Sequence, residues 1–173
     1  MIYKASLDKL AKWTTILVFM TLITIGLKSI VELLNSPKTT EEIVIHCTLL
    51  FLFFVILFSS WLFSSQSYSI NENALIIHRK ISDISIDFDS IEFIEHLTSQ
   101  QIKGTIRTFG VGGLFGYFGK FHVPKIGSCT FYSSQRKNLI LIKTNKKKYI
   151  ITPDEIQLSD ELIKKCKYLN SVN

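Results

Sequence analysis

A chain of 173 residues has room for one domain, or one domain with an appendage, and its formal charge of +6 at pH 7 forms no dense basic stripe interleaved with base-stacking aromatics, which argues against a nucleic-acid partner. Cys47, Cys129 and Cys166 follow no motif spacing and read as free thiols in a reducing compartment. His46, His78, His96 and His122 are scattered and no CxxC or HExxH occurs, so neither a metal site nor a cofactor is expected.

The apolar residues are unevenly spread. Residues 13 to 34, WTTILVFMTLITIGLKSIVELL, predict a first transmembrane helix after an N-terminal segment of residues 1 to 12. Lys28 lies roughly 22 Å along that helix from Trp13, far enough to reach the opposite interface, and Glu32 one turn later can pair with it. Residues 43 to 63, IVIHCTLLFLFFVILFSSWLF, carry no formal charge and at about 1.5 Å per residue reach roughly 31 Å, the thickness of a hydrocarbon core. A buried core helix rarely lacks a polar face for so long, and no A-x-A-like cleavage site follows the first run, so a signal peptide fits poorly.

The link between the runs, residues 35 to 42, is short and polar, which predicts an antiparallel hairpin. Lys4, Lys9 and Lys12 precede the first helix, Arg79 and Lys80 follow the second, and the link holds only Lys38. The positive-inside rule then places both termini in the cytoplasm, the link outside, and the protein in the inner cell membrane as a multi-pass chain. Trp13 and Trp61 fall at one interface as anchors.

Residues 64 to 173 carry fifteen Lys and Arg against ten Asp and Glu, and are numerous enough to bury a core of their own. Their pattern is short strands with turn signals. SQSYSI, ALIIHRK, ISIDF and IEFIEHL give four strands, a polar bridge spans 98 to 108, and GSCTFYSS, NLILIKT and KKYIIT give three more. Asn145 and Lys146 mark a tight turn between the last two, with a basic tip. TPDE at 152 to 155 reads as a helix start, with Thr152 as cap, Pro153 in the first turn and Glu155 completing a capping box. Ile156, Leu162, Ile163, Cys166 and Leu169 form the apolar stripe of the helix that follows.

Seven strands and a final amphipathic helix resemble the pleckstrin-homology superfold, a bent antiparallel barrel capped by a C-terminal helix. Two membrane helices leading into GGLFGYFGKF and then SSQRKNLILIKTNKKKYIITPDE are similar to the bacterial PH-domain membrane proteins. The resemblance covers roughly residues 66 to 170. It implies a PH-like domain over residues 64 to 173 that binds or scaffolds at the membrane. The first hairpin carries Asn71, Glu72 and Asn73 where an inositol-phosphate site would need basic residues.

Five of the eight glycines fall in FGVGGLFGYFGKF, residues 109 to 121. The spacing matches neither a Walker loop nor a dinucleotide fingerprint. Two readings stay open. In one, glycines allow positive φ while the aromatics pack on the domain. In the other, Phe109, Leu114, Phe115, Tyr117 and Phe118 form a membrane- or partner-contact surface flanked by Lys103, Arg107, Lys120 and Lys125.

The expected function is therefore a non-catalytic module tethered at the cytoplasmic face, contacting lipid headgroups, a protein partner or a second copy. The alternatives are an accessory subunit of a transporter or channel and, more remotely, a hydrolytic enzyme. Catalysis needs a nucleophile with a base, paired carboxylates or a metal. Asp87 and Asp89 read as one face of a solvated strand, and nothing local joins Ser133, Ser134 and His122, so no catalytic residue is assigned.

Overall fold

The computed structural model describes residues 2–35 and 39–172, with the side chains of residues 33, 34 and 167–172 left undescribed. Lys38 of the link and the Leu169 side chain therefore lie outside the described residues. The chain opens with a short strand, β1 (Ile2–Lys4), and two long helices follow, α1 (Lys9–Asn35) and α2 (Thr40–Phe63). Asp8 caps α1 by accepting the Ala11 N–H at 2.7 Å. Thr39 caps α2 in a reciprocal box with Glu42. Both helices are long and apolar enough to cross a membrane. Their side chains are bare of protein on most faces, with Leu17 at 67% and Phe51 at 68% exposed. Lys28 and Glu32 lie 3.8 Å apart, the pairing expected of residues one turn apart.

The remaining strands are β2 (Ser65–Ile70), β3 (Ala74–Arg79), β4 (Ile84–Asp87), β5 (Ile91–Leu97), β6 (Ile106–Gly112), β7 (Tyr117–Val123), β8 (Gly127–Ser133), β9 (Leu139–Thr144) and β10 (Lys148–Ile151), followed by α3 (Gln157–Val172). They form two sheets, ordered β1-β2-β3-β4 and β5-β9-β10-β8-β7-β6. All described pairs are antiparallel except β8 with β10, which are parallel.

Alternation along the strands sets the layers. Tyr68, Ile70, Leu75, Ile77 and Ile86 point from the first sheet into a core shared with Ile140, Ile142 and Ile151 of the second, closed by Leu158 and Leu162 of α3. The other face of the second sheet holds Leu139, Leu141 and Ile150, packed with Tyr117, Phe121, Phe131 and Val123. Strand β9 is thus buried on both faces, which accounts for the unbroken apolar run LILI.

The sheet-rich, PH-like domain with its C-terminal helix is the expected fold, but four details differ. The strands lie in two sheets that do not close into a barrel. Three strands join the expected seven among the described residues: β1 on the edge of the first sheet, and β6 and β7, made largely from the bridge and the glycine stretch. The run TPDE is not a helix start: Thr152 and Pro153 cross the domain buried, and Asp154 and Glu155 emerge toward its surface. Thr152 is fully buried, its Oγ1 accepts the N–H groups of Ser134 and Gln135, and the helix begins only at Gln157. Asp87 and Asp89 do not share a strand face, because Phe88–Ser90 form a 3-10 turn that buries Phe88.

Candidate functional site

The glycine stretch is an antiparallel hairpin on the edge of the second sheet, with β6 outermost. Gly110 and Gly119 face each other across it with φ of +112° and +115°. A Cβ on Gly110 would strike the Phe118 carbonyl oxygen, and one on Gly119 the Phe109 carbonyl oxygen. Only glycine fits such a close approach at positive φ. The tip, residues 113 to 116, closes through Gly113 N–H donating to the Gly116 carbonyl at 2.8 Å. Phe115 sits in the left-handed region at φ 54° without being glycine.

Contacts with the helices hold that conformation. The Phe115 N–H donates to Thr15 Oγ1 at 3.1 Å, and its ring meets Phe19 edge-on at 6.2 Å between centroids. On its other side Phe115 shares a pocket with Trp61 and Lys80. The tip therefore packs on α1 and shares a pocket wall with the end of α2.

Asp8 fixes the base of α1 to the domain. Its carboxylate accepts from the Tyr117 hydroxyl at 3.2 Å and from Arg136 Nε at 3.1 Å, and its N–H donates to the Ser134 carbonyl. Burial, reinforced by the adjacent Asp8 carboxylate, pushes the Tyr117 hydroxyl up to about 12. At the base of α2, Lys80 Nζ lies 3.7 Å from the centre of the Trp61 ring, and Arg79 stacks between Phe63 and Tyr132. A cleft of about 350 Å³ opens between Ser59, Ser60 and Phe63 of α2 and the side-chain-free band at Gly110 and Gly119.

The sequence candidates divide within this geometry. Tyr117 and Phe118 are buried in the domain, Leu114 and Phe115 are half-buried at the tip, and Phe109 is 75% exposed on the edge strand. Buried and exposed aromatics thus both occur in the stretch, at different residues. Arg107 and Lys120 are exposed along the hairpin, Arg107 folding toward Gly112 near the tip. Lys103 and Lys125 sit in the turns at the opposite end, roughly 20 Å from the tip at about 3.3 Å per strand residue. Trp13 is 70% exposed and Trp61 39%.

Sequence reasoning did not single out Asp8, Thr15 or Phe19. The pattern LDKLAK carried a capping signal for Asp8, but the other two depend on contacts between distant segments.

A family model for the bacterial PH domain matches residues 66–166, more than half of the chain. The chain belongs to the bacterial PH-domain family. A search of curated proteins and a search of solved structures return no match. PH domains are generally non-catalytic binding modules. The match runs from β2 into α3 and takes in the glycine hairpin, while β1, α1 and α2 precede it.

This PH domain does contain a Ser–His–Asp chain. Ser69 Oγ lies 2.8 Å from His78 Nε2, and His78 Nδ1 lies 2.8 Å from Asp83 Oδ2. The chain resembles a nucleophile–base–orienter array, but Ser69 occupies a strand paired on both sides, opposite Ile2 and Ile76. Local backbone N–H groups are committed to the ladders and do not converge as oxyanion donors. The cross-strand bonds tie β2 and β3 to the turn that follows β3.

Proposed function

We propose that this PH domain is the cytoplasmic body of a two-pass membrane protein, a non-catalytic binding or scaffold module whose glycine hairpin dips its tip into the interfacial layer. The contact between Phe115 and Phe19 carries the reading. Phe19 lies six residues beyond Trp13, roughly 9 Å further along α1. If Trp13 marks the membrane interface, Phe115 and Leu114 stand below it, beside the acyl chains.

Three further observations support this. Strand β1 precedes α1 and β2 follows α2, yet they pair, so helices that cross must cross in opposite senses. The hydroxyls of Thr15, Thr21, Thr24, Thr48 and Ser60 donate to carbonyls four residues back, leaving few polar groups unsatisfied in lipid. Lys9, Lys12, Lys80 and Arg136 gather around the helix bases, where each basic residue near an anionic leaflet contributes about 1 kcal/mol.

Bromine quenching tests the reading. Phe115→Trp, in a background with Trp13→Phe and Trp61→Phe, is reconstituted in liposomes of lipids brominated on the acyl chain. Strong quenching relative to ordinary lipid is expected. Equal emission in both lipids overturns the insertion of the tip.

A protein partner, including a transporter subunit or a second copy, is the second reading. It is favoured by β6, an edge strand with Ile106 and Phe109 exposed and its outer backbone groups open to strand addition. Labelling of Ser69 by a fluorophosphonate probe would overturn the non-catalytic part of the proposal.

A further inference from the structure

We propose that the β6 edge and the cleft beside it take an extended acidic segment of a partner protein as an added antiparallel strand. An apolar side chain of that segment sits in the cleft, and a carboxylate reaches Lys120. The proposal rests on the binding-module reading above and names the partner's chemistry; it does not depend on the tip entering the bilayer.

Strand β6 ends the second sheet with no strand beyond it among the described residues, and six of its seven residues are exposed. Sheet edges are usually blunted by charge, proline or a covering element. β6 has no proline and one charge, Arg107, and a bulge between Arg107 and Phe109 leaves residues 109 to 112 open beside the cleft. That cleft, about 350 Å³, runs between Ser59 and Phe63 of α2 and the hairpin face that carries Phe109 and Val111. Gly110 and Gly119 give it bare backbone, the surface to which another chain can come closest.

Charge names the occupant. Between Glu95 and Asp154 the chain has ten Lys and Arg and no Asp or Glu, so β6, β7, β8, β9 and β10 carry no carboxylate. Arg107 and Lys120 make no ion pair among the described residues. Lys120 stands opposite Phe109 in the ladder and hence on the same face, beside the cleft that Arg79 also lines. A strand laid along β6 sends alternate side chains to that face. An apolar residue in the cleft, with a carboxylate two positions along, meets both the rings and the lysine.

A second copy fits the edge less well. Two β6 strands related by a two-fold axis pair antiparallel, which sets the cations of both copies side by side and points the hairpin tips in opposite directions. Two copies in one membrane cannot meet that way. A lipid surface has no ladder of alternating donors and acceptors with which to pair the edge.

The test uses full-length protein in nanodiscs of phosphatidylcholine, with the fluorescent peptide acetyl-EVTFTETVE-amide as probe. Anisotropy reads binding, and hydrogen exchange reads its place. The acidic probe is expected to bind about tenfold tighter than acetyl-KVTFTKTVK-amide. It should also slow exchange in residues 106 to 112. Lys120→Glu, at an exposed position, should weaken the acidic probe about tenfold and strengthen the lysine probe. Ser59→Phe, which fills the cleft, should weaken the acidic probe as well. Methylation of alternate backbone nitrogens of the probe should abolish binding.

Equal binding of the acidic and lysine probes, or undiminished binding of the methylated one, overturns the proposal. Protection of β6 before any probe is added overturns it too. Protection that grows with protein concentration would assign the edge to a second copy, and protection seen only in discs of phosphatidylglycerol would assign it to the bilayer. Failure of the probe leaves the quenching of Phe115→Trp as it was and sinks this proposal alone. Labelling of Ser69 by a fluorophosphonate sinks the non-catalytic module reading whatever the peptide does.

Discussion

Phe115 at the tip of the glycine hairpin and Phe19 in the third turn of α1 meet edge-on, 6.2 Å apart and 87° between ring planes, although 96 positions separate them in sequence. This contact binds a long apolar helix to the edge of the β-domain. The pair should couple energetically. A double-mutant cycle of Phe19→Ala and Phe115→Ala, followed by thermal unfolding in detergent, is expected to return a coupling of about 1 kcal/mol. Additive losses would mean the rings touch without interacting. Phe115→Gly should cost less than its lost ring alone, because glycine relieves about 1 kcal/mol of left-handed strain at φ 54°.

The glycine pair predicts a sharper effect. Gly110→Ala and Gly119→Ala each drive a Cβ into the opposing backbone at positive φ. Each should destabilise the hairpin by about 3 kcal/mol and open it to limited proteolysis. Gly26→Ala meets nothing within 4 Å in the middle of α1 and should be neutral or slightly stabilising. Equal thermal shifts for all three would contradict the close approach of β6 and β7.

Asp8 combines a helix cap with a junction. Asp8→Ala removes the acceptor for the Ala11 N–H and the partner of Tyr117 and Arg136. The expected loss is about 2 kcal/mol, with hydrogen exchange rising first in the opening turn of α1. Asp8→Asn keeps the cap and should lose about half as much.

Alkaline pH should loosen the domain through Tyr68. Its hydroxyl donates to the Tyr132 carbonyl at 2.6 Å and accepts the Thr152 N–H at 3.2 Å, tying the first sheet to the end of the second. Burial pushes it from 10.0 up to about 12. A folded pKa above the unfolded one gives stability that is complete below pH 10.0 and fades as pH rises toward about 12. Tyr117 adds to the loss over the same window. Urea midpoints should therefore fall between those pH values, less steeply for Tyr68→Phe. That variant should already be about 2 kcal/mol weaker at neutral pH, since it leaves the Tyr132 carbonyl and the Thr152 N–H without the bridging hydroxyl. A flat midpoint across the window would rule out the buried hydroxyl as the alkaline weak point.

Much of the fold is legible in the sequence because its signals are local and repeated. An uncharged run such as 43 to 63 can hardly form anything but a long apolar helix. The alternation in SQSYSI and ISIDF marks strands whatever they pair with. The candidate site is legible only in composition. Glycines and aromatics announce an unusual segment, but Tyr117 and Phe118 turn inward while Phe109 turns outward, and no residue count distinguishes them. Lys103 and Lys125 lie near the stretch in sequence yet fall at the opposite end of the hairpin from its tip.

By itself, then, the sequence determined two helices of membrane-crossing length, a β-rich body and a closing amphipathic helix, because hydrophobic length and periodicity are properties of contiguous residues. Tertiary structure alone decided that Ile2–Lys4 joins the first sheet, that Thr152 is a buried acceptor and not a helix cap, and that Phe115 stands against Phe19. A three-residue strand has no stability of its own and exists only where β2 offers its edge. A threonine hydroxyl satisfies whichever N–H the packing brings to it, and at position 152 the chain crossing brought those of Ser134 and Gln135.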